Sequence, residues 1–90
     1  MQFDNGLPIY LQIVKEMTLR ALSGAIKPGE KIPPVRELAA EFGVNPNTMQ
    51  RAMAEMEREG LVYTERTSGR FLTKEEGVLV EKRKSFAKEE

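Results

Sequence analysis

The stretch NPNTMQR, residues 45–51, gathers Asn45, Asn47, Thr48, Gln50 and Arg51 within seven positions. These side chains suit one kind of chemistry, the reading of a nucleic-acid duplex by hydrogen bonds. Asparagine and glutamine can each pair a donor and an acceptor with adenine, and arginine does the same with guanine. Threonine offers a methyl to thymine or a hydroxyl to phosphate. In a helix, Met49, Ala52, Met53 and Met56 recur at three- and four-residue steps and turn inward. Asn47, Thr48, Gln50 and Arg51 are then left around the outer face near the N-terminus. That end also carries unpaired amides and the positive pole of the helix dipole, both attractive to phosphate. A second group lies downstream: from Arg66 to Lys74 the charged residues are Arg66, Arg70 and Lys74, so the segment carries +3 with no acid. Arg36 adds a cation near the start of an earlier helical stretch, placed for a phosphate or a guanine edge.

Each of these residues also has a plainer explanation. A polar helix face is commonly just solvated, and Asn45 and Pro46 are well explained as a helix cap and a first helical residue. Arg36 has glutamates nearby for a surface ion pair, and Arg58, set among Glu55, Glu57 and Glu59, reads outright as such a pair. Arg70 is harder to dismiss, because no acid lies close to it in sequence.

Composition removes most other functions. Ninety residues, 40% hydrophobic and 31% charged, describe one small domain with a modest core. Fourteen basic and fourteen acidic residues cancel, so any nucleic-acid affinity must come from the arrangement of charge. Cysteine and histidine are absent, which excludes thiol nucleophiles, disulfides, the usual zinc sites and an imidazole base. No carboxylate sits in an apolar setting that would tune a catalytic pair. Neither an enzyme, a cofactor nor a bound metal is expected. No apolar run approaches membrane-spanning length, and the N-terminus lacks a signal-peptide pattern, so the expected location is cytoplasmic with no membrane partner.

The elements that must position these residues follow from periodicity and punctuation. After the turn residues Asp4-Asn5-Gly6, Pro8 opens a helix over residues 8–23 with Ile9, Tyr10, Ile13, Val14, Met17, Ala21 and Leu22 as its apolar set and Gly24 as its stop. Three prolines and a glycine in KPGEKIPP predict an irregular but stiff loop over residues 27–34. A short helix begins at Val35, with Leu38, Ala39 and Phe42 apolar, and stops at Gly43. Asn45 and Pro46 start the next helix almost at once, and it runs to about Glu59. Two helices joined so tightly form a helix-turn-helix. LVYTERTSGRFLT then predicts a hairpin, with strands over residues 61–66 and 70–73 around Thr67-Ser68-Gly69 and with Arg70 at its tip. The charged tail predicts a loop and a solvated helix.

That order is a winged helix-turn-helix, mainly α with a small β-hairpin, in which the third helix enters the major groove and the wing meets the minor groove. The run IPPVRELAAEFGVNPNTMQRAMAEMEREGLVYTERTSGRFL resembles the DNA-binding domain of the GntR family of bacterial regulators. With PIYLQIVKEM in front, it is similar to the short YtrA-type branch. The resemblance spans residues 8–73 and implies a ligand-responsive regulator, commonly a repressor, that binds a palindromic double-stranded DNA operator as a homodimer. Carried over by position, the family's contacts fall on Arg36, on Asn45, Asn47, Thr48 and Gln50, and on Ser68, Gly69 and Arg70. The outer-face geometry adds Arg51. Three positions depart from the family pattern: Pro34 replaces a hydroxyl cap, Pro46 stands where many members carry arginine, and Arg70 stands where the residue is commonly small.

The resemblance places the DNA-binding unit at residues 1–74 and leaves residues 75–90 as a charged tail. YtrA-type regulators continue into helices that dimerise and receive a small-molecule effector, so the effector-sensing part is expected to be short or absent here. Val78, Leu79, Val80 and Phe86 offer a thin apolar pattern for pairing two tails. A winged-helix module used for protein association is the alternative reading, since fold does not dictate function.

Overall fold

The computed structural model describes Phe3 and residues 6–88. Helix α1 spans Ile9–Ser23, α2 Val35–Phe42 and α3 Pro46–Arg58, followed by strands β1 (Val62–Glu65) and β2 (Gly69–Leu72) and a final helix α4 (Glu76–Lys88). Pro8 caps α1 from outside instead of occupying its first turn. Its carbonyl accepts from the amides of Leu11 and Gln12 at 3.1 and 3.3 Å, the bonds a helix start requires. Asp4 and Asn5 of the expected turn lie outside the described residues. Helix α2 begins at Val35 as expected, although Pro34 supplies no side-chain cap. Its end at Gly43 has φ 70°, a left-handed conformation that glycine adopts without the steric cost of a Cβ. This lets the chain turn at once into α3, whose first residues are secured by the Asn45 carboxamide oxygen accepting from the Asn47 amide at 2.7 Å.

The two strands pair antiparallel in the register Val62 with Leu72, Tyr63 with Phe71, Thr64 with Arg70 and Glu65 with Gly69. The first strand is shorter than expected, the second is displaced by one residue at the same length, and the turn falls one residue earlier, at Arg66-Thr67-Ser68. The Ser68 amide closes it on the Glu65 carbonyl at 3.2 Å. Gly69 therefore opens β2 with φ 115°, and Arg70 is a strand residue set back from the tip. The proline-rich loop also departs from expectation. Residues 29–32 run along the free edge of β2: the Gly29 amide donates to Leu72 O at 2.9 Å, Leu72 N to Glu30 O at 2.9 Å and Ile32 N to Arg70 O at 2.8 Å, and Lys31 forms a bridge with Phe71. The prolines bracket this segment without entering it, so its amides remain able to donate, as an edge strand demands.

The core joins Ile13 and Met17 of α1, Leu38 and Phe42 of α2, Met49, Ala52, Met53 and Met56 of α3, and Leu61 and Leu72 beside the wing. The α1 stripe is rotated slightly from its apolar pattern. Ile9 is exposed, whereas Gln12 and Thr18 are buried. Both polar groups are satisfied, Gln12 Nε2 donating to Leu7 O at 2.8 Å and Thr18 Oγ1 to Val14 O at 2.7 Å, which removes the cost of burying them. Helix α4 is less solvated than its composition predicts. It lies against α1, with Leu79 packed on the core, Lys82 bonded to Glu59 and Arg83 Nη2 donating to Leu22 O at 3.4 Å. Lys15 stands over the Phe86 ring at 5.9 Å. Sparse apolar residues thus suffice to dock a helix whose polar side chains reach partners on α1 and α3.

Candidate nucleic-acid interface

Helix α3 exposes Asn47 and Gln50 and half-buries Thr48, while its methionines face the core. Among the described residues, the side chains of Asn47 and Gln50 have no hydrogen-bond partner, and Arg36 at the first turn of α2 is exposed and forms no ion pair. The other candidates on α3 are engaged. Asn45 spends its carboxamide oxygen on the cap. The Arg51 guanidinium stacks on the Tyr10 ring at 3.9 Å, a cation–π contact that anchors it toward α1. Arg58 grips Glu55 with two nitrogens, Nε at 3.0 Å, as its acidic surroundings predict. That guanidinium holds the Glu55 carboxyl down at about 2.

At the wing, Arg66, Ser68 and Gly69 are exposed. Arg70 is not a free tip residue. It lies opposite Thr64, on the side of the hairpin that carries Val62 and Leu72 inward, and its Nε is 3.8 Å from Oε1 of Glu57 on α3. The same oxygen accepts a 3.0 Å hydrogen bond from the Thr64 hydroxyl. The acid missing from the local sequence is therefore supplied by the helix. A groove of 490 Å³ separates the wing from the chain entering α2, lined by Lys31, Pro33 and Pro34 on one side and by Arg66, Ser68 and Arg70 on the other. Lys31 crosses to Gly69: a Cβ added there would lie 3.1 Å from its Cε. The sequence pattern does not point to Lys31, and it marks Arg66 only by its charge. The missed signal was the edge pairing of residues 29–32, which brings Lys31 to the wing although 38 positions separate it from Gly69.

The helix-turn-helix, the basic wing and its groove thus occur together, and comparison with known proteins places them. Residues 9–72 match the family described as bacterial regulatory proteins, gntR family. The chain belongs to the GntR family. It is 43% identical over 87 residues to the HTH-type transcriptional repressor YtrA of Bacillus subtilis, covering 96% of this chain and 67% of that protein. A GntR family transcriptional regulator from Listeria monocytogenes superposes with a TM-score of 0.90 at 39% identity, covering 97% of this chain and 76% of the other. The AraR DNA-binding domain, solved in complex with operator ORX1, superposes at 0.72 with 31% identity, covering 80% and 93%. The winged-helix architecture read from the sequence is accordingly that of GntR regulators. Within this GntR fold, Asn47, Gln50 and Arg36 are exposed with no side-chain partner among the described residues, Arg66, Ser68 and Gly69 are exposed on the wing, and Asn45, Arg51 and Arg70 make contacts within the protein.

Proposed function

We propose that this chain is a sequence-specific DNA-binding transcription regulator that represses by occupying a palindromic operator as a homodimer. The observation that carries the reading is the pair of unpartnered carboxamides, Asn47 and Gln50, exposed at the N-terminal half of α3 in a helix-turn-helix. An amide side chain in that position gains a bidentate partner from adenine. Arg36 at the start of α2 serves as a phosphate or guanine contact, Thr48 as a methyl or hydroxyl contact, and Arg66, Ser68 and Gly69 carry the wing against the duplex. Lys31 joins them from the loop bridged to β2. Gly69 lets backbone approach the groove closely. The structure of AraR with its operator supports this reading by kinship of fold.

Asn45, Arg51 and Arg70 hold secondary places in the interface. Asn45 acts by fixing the first turn of α3, Arg51 reaches DNA only by leaving Tyr10, and Arg70 only by leaving Glu57. Pairing of two copies through α4 completes the dimer. Val80 is 42% exposed and remains for that contact, while Leu79 is already used in the core.

Binding isotherms for wild type, Asn47→Ala and Gln50→Ala, measured against selected and mixed-sequence duplexes, test the assignment. Each substitution is expected to weaken the selected duplex by about 1–3 kcal/mol and leave the mixed sequence nearly unchanged. Equal losses on both duplexes would reduce α3 to a backbone contact.

A further inference from the structure

Arg70 is incompletely satisfied within the protein. Its Nε is buried without a hydrogen-bond acceptor. The nearest anion, Glu57 Oε1, stands at 3.8 Å, beyond hydrogen-bond range. That oxygen already accepts from Thr64. The Glu57 side chain is 45% exposed and that of Arg70 only 24%, so solvent screens the acid more than it hydrates the cation. Yet Arg70 also lines the groove between the wing and the start of α2, beside Lys31, Arg66 and Ser68. The cation therefore lies between a distant carboxylate behind it and, in front, an open groove whose other charged lining residues are Lys31, Arg66 and a single acid, Glu65.

We infer that Glu57 is a resting counter-anion for Arg70, which DNA displaces: a backbone phosphate entering the groove takes Arg70 from Glu57. The inference rests on the DNA-binding reading above. A phosphate would supply the acceptor that Nε lacks and a closer, charge-assisted bond than the present 3.8 Å separation allows. The exchange costs every duplex the same amount, because a phosphate contact carries no sequence information. Glu57 would thus set the overall affinity without altering the ranking of sequences. A bracing role gives the opposite expectation: if Glu57 served to hold the wing on α3 through Thr64 and Arg70, its loss would weaken binding.

The test is a double-mutant cycle with Glu57→Gln and Arg70→Ala, read as dissociation constants over a salt series on a selected duplex and on a mixed-sequence duplex of equal length. Thermal melting verifies that each variant folds. Glu57→Gln is expected to bind both duplexes more tightly by the same factor, about three- to tenfold. In the Arg70→Ala background that gain should vanish. A Glu57→Gln variant that binds equally or more weakly overturns the inference in favour of a brace. A gain that persists without Arg70 overturns it in favour of simple repulsion between Glu57 and DNA. In the wild type, the Arg70 Nε–H resonance should shift on adding duplex, and an unmoved resonance also overturns it. Wild type binding no duplex at all would remove the DNA-binding reading itself.

Discussion

The residues that suit base reading divide by whether the protein itself uses them. Asn47, Gln50 and Arg36 are left over by the fold, and free hydrogen-bonding capacity on a presented surface is what recognition requires. Asn45 is not left over, because its oxygen secures the Asn47 amide. Asn45→Ala should therefore cost about 0.5–2 kcal/mol of stability by chemical denaturation and weaken binding only in step with that loss. Arg36→Ala should leave stability unchanged within experimental error. If Arg36 meets phosphate, the change weakens all duplexes and lowers the salt slope by about 1; if it meets guanine, it relaxes preference at one position. The identities of these side chains were readable in the sequence from the methionine spacing that fixes which face of α3 is buried. Their availability was not. Arg51 looked as free as Gln50 until Tyr10, forty-one positions away, proved to lie beneath it, and Arg70 looked unpaired because Glu57 reaches it through tertiary packing alone.

At the scale of elements, α3 depends on its buried methionines and on the ion pair along its outer edge. Met49 is fully buried, so Met49→Ala should destabilise the fold by about 2–5 kcal/mol, measured by urea unfolding. The Glu55 carboxyl, held at about 2 by Arg58, gives a signed pH dependence. Its native value lies below the usual carboxylate range, so its contribution to stability is complete above that range and is lost as the pH falls through about 2. Carbon-detected NMR titration should find the Glu55 carboxyl ionising near that value in wild type, and Arg58→Ala should raise it toward the usual range. Helix limits were read to within a residue because proline, asparagine and glycine punctuate them locally. The wing was read less well. Its turn is shifted by a residue, and the edge pairing of residues 29–32 with β2 is not legible locally, since it depends on which amides face an open edge, a property with no local signature.

The molecule as a whole is neutral, so its proposed affinity rests on a few cations gathered around one groove. Lys31, Arg66 and Arg70 reach that groove from two separate stretches of chain, and Arg36 stands one residue beyond Val35 in its lining. This arrangement keeps indiscriminate attraction to polyanions low while concentrating charge at the wing. Composition had indicated that affinity must come from placement, and only the fold reveals the placement. Helix α4 is docked through Leu79, Lys82 and Arg83 and leaves Val80 exposed, the residue proposed above to meet a second copy. Selection of bound duplexes from a random DNA pool, at salt high enough to suppress purely electrostatic binding, tests the central claim most directly. Enrichment of an inverted repeat is the predicted result and would give the half-site spacing of the dimer. A pool that returns no sequence preference would contradict the assignment of α3 as a reader of bases.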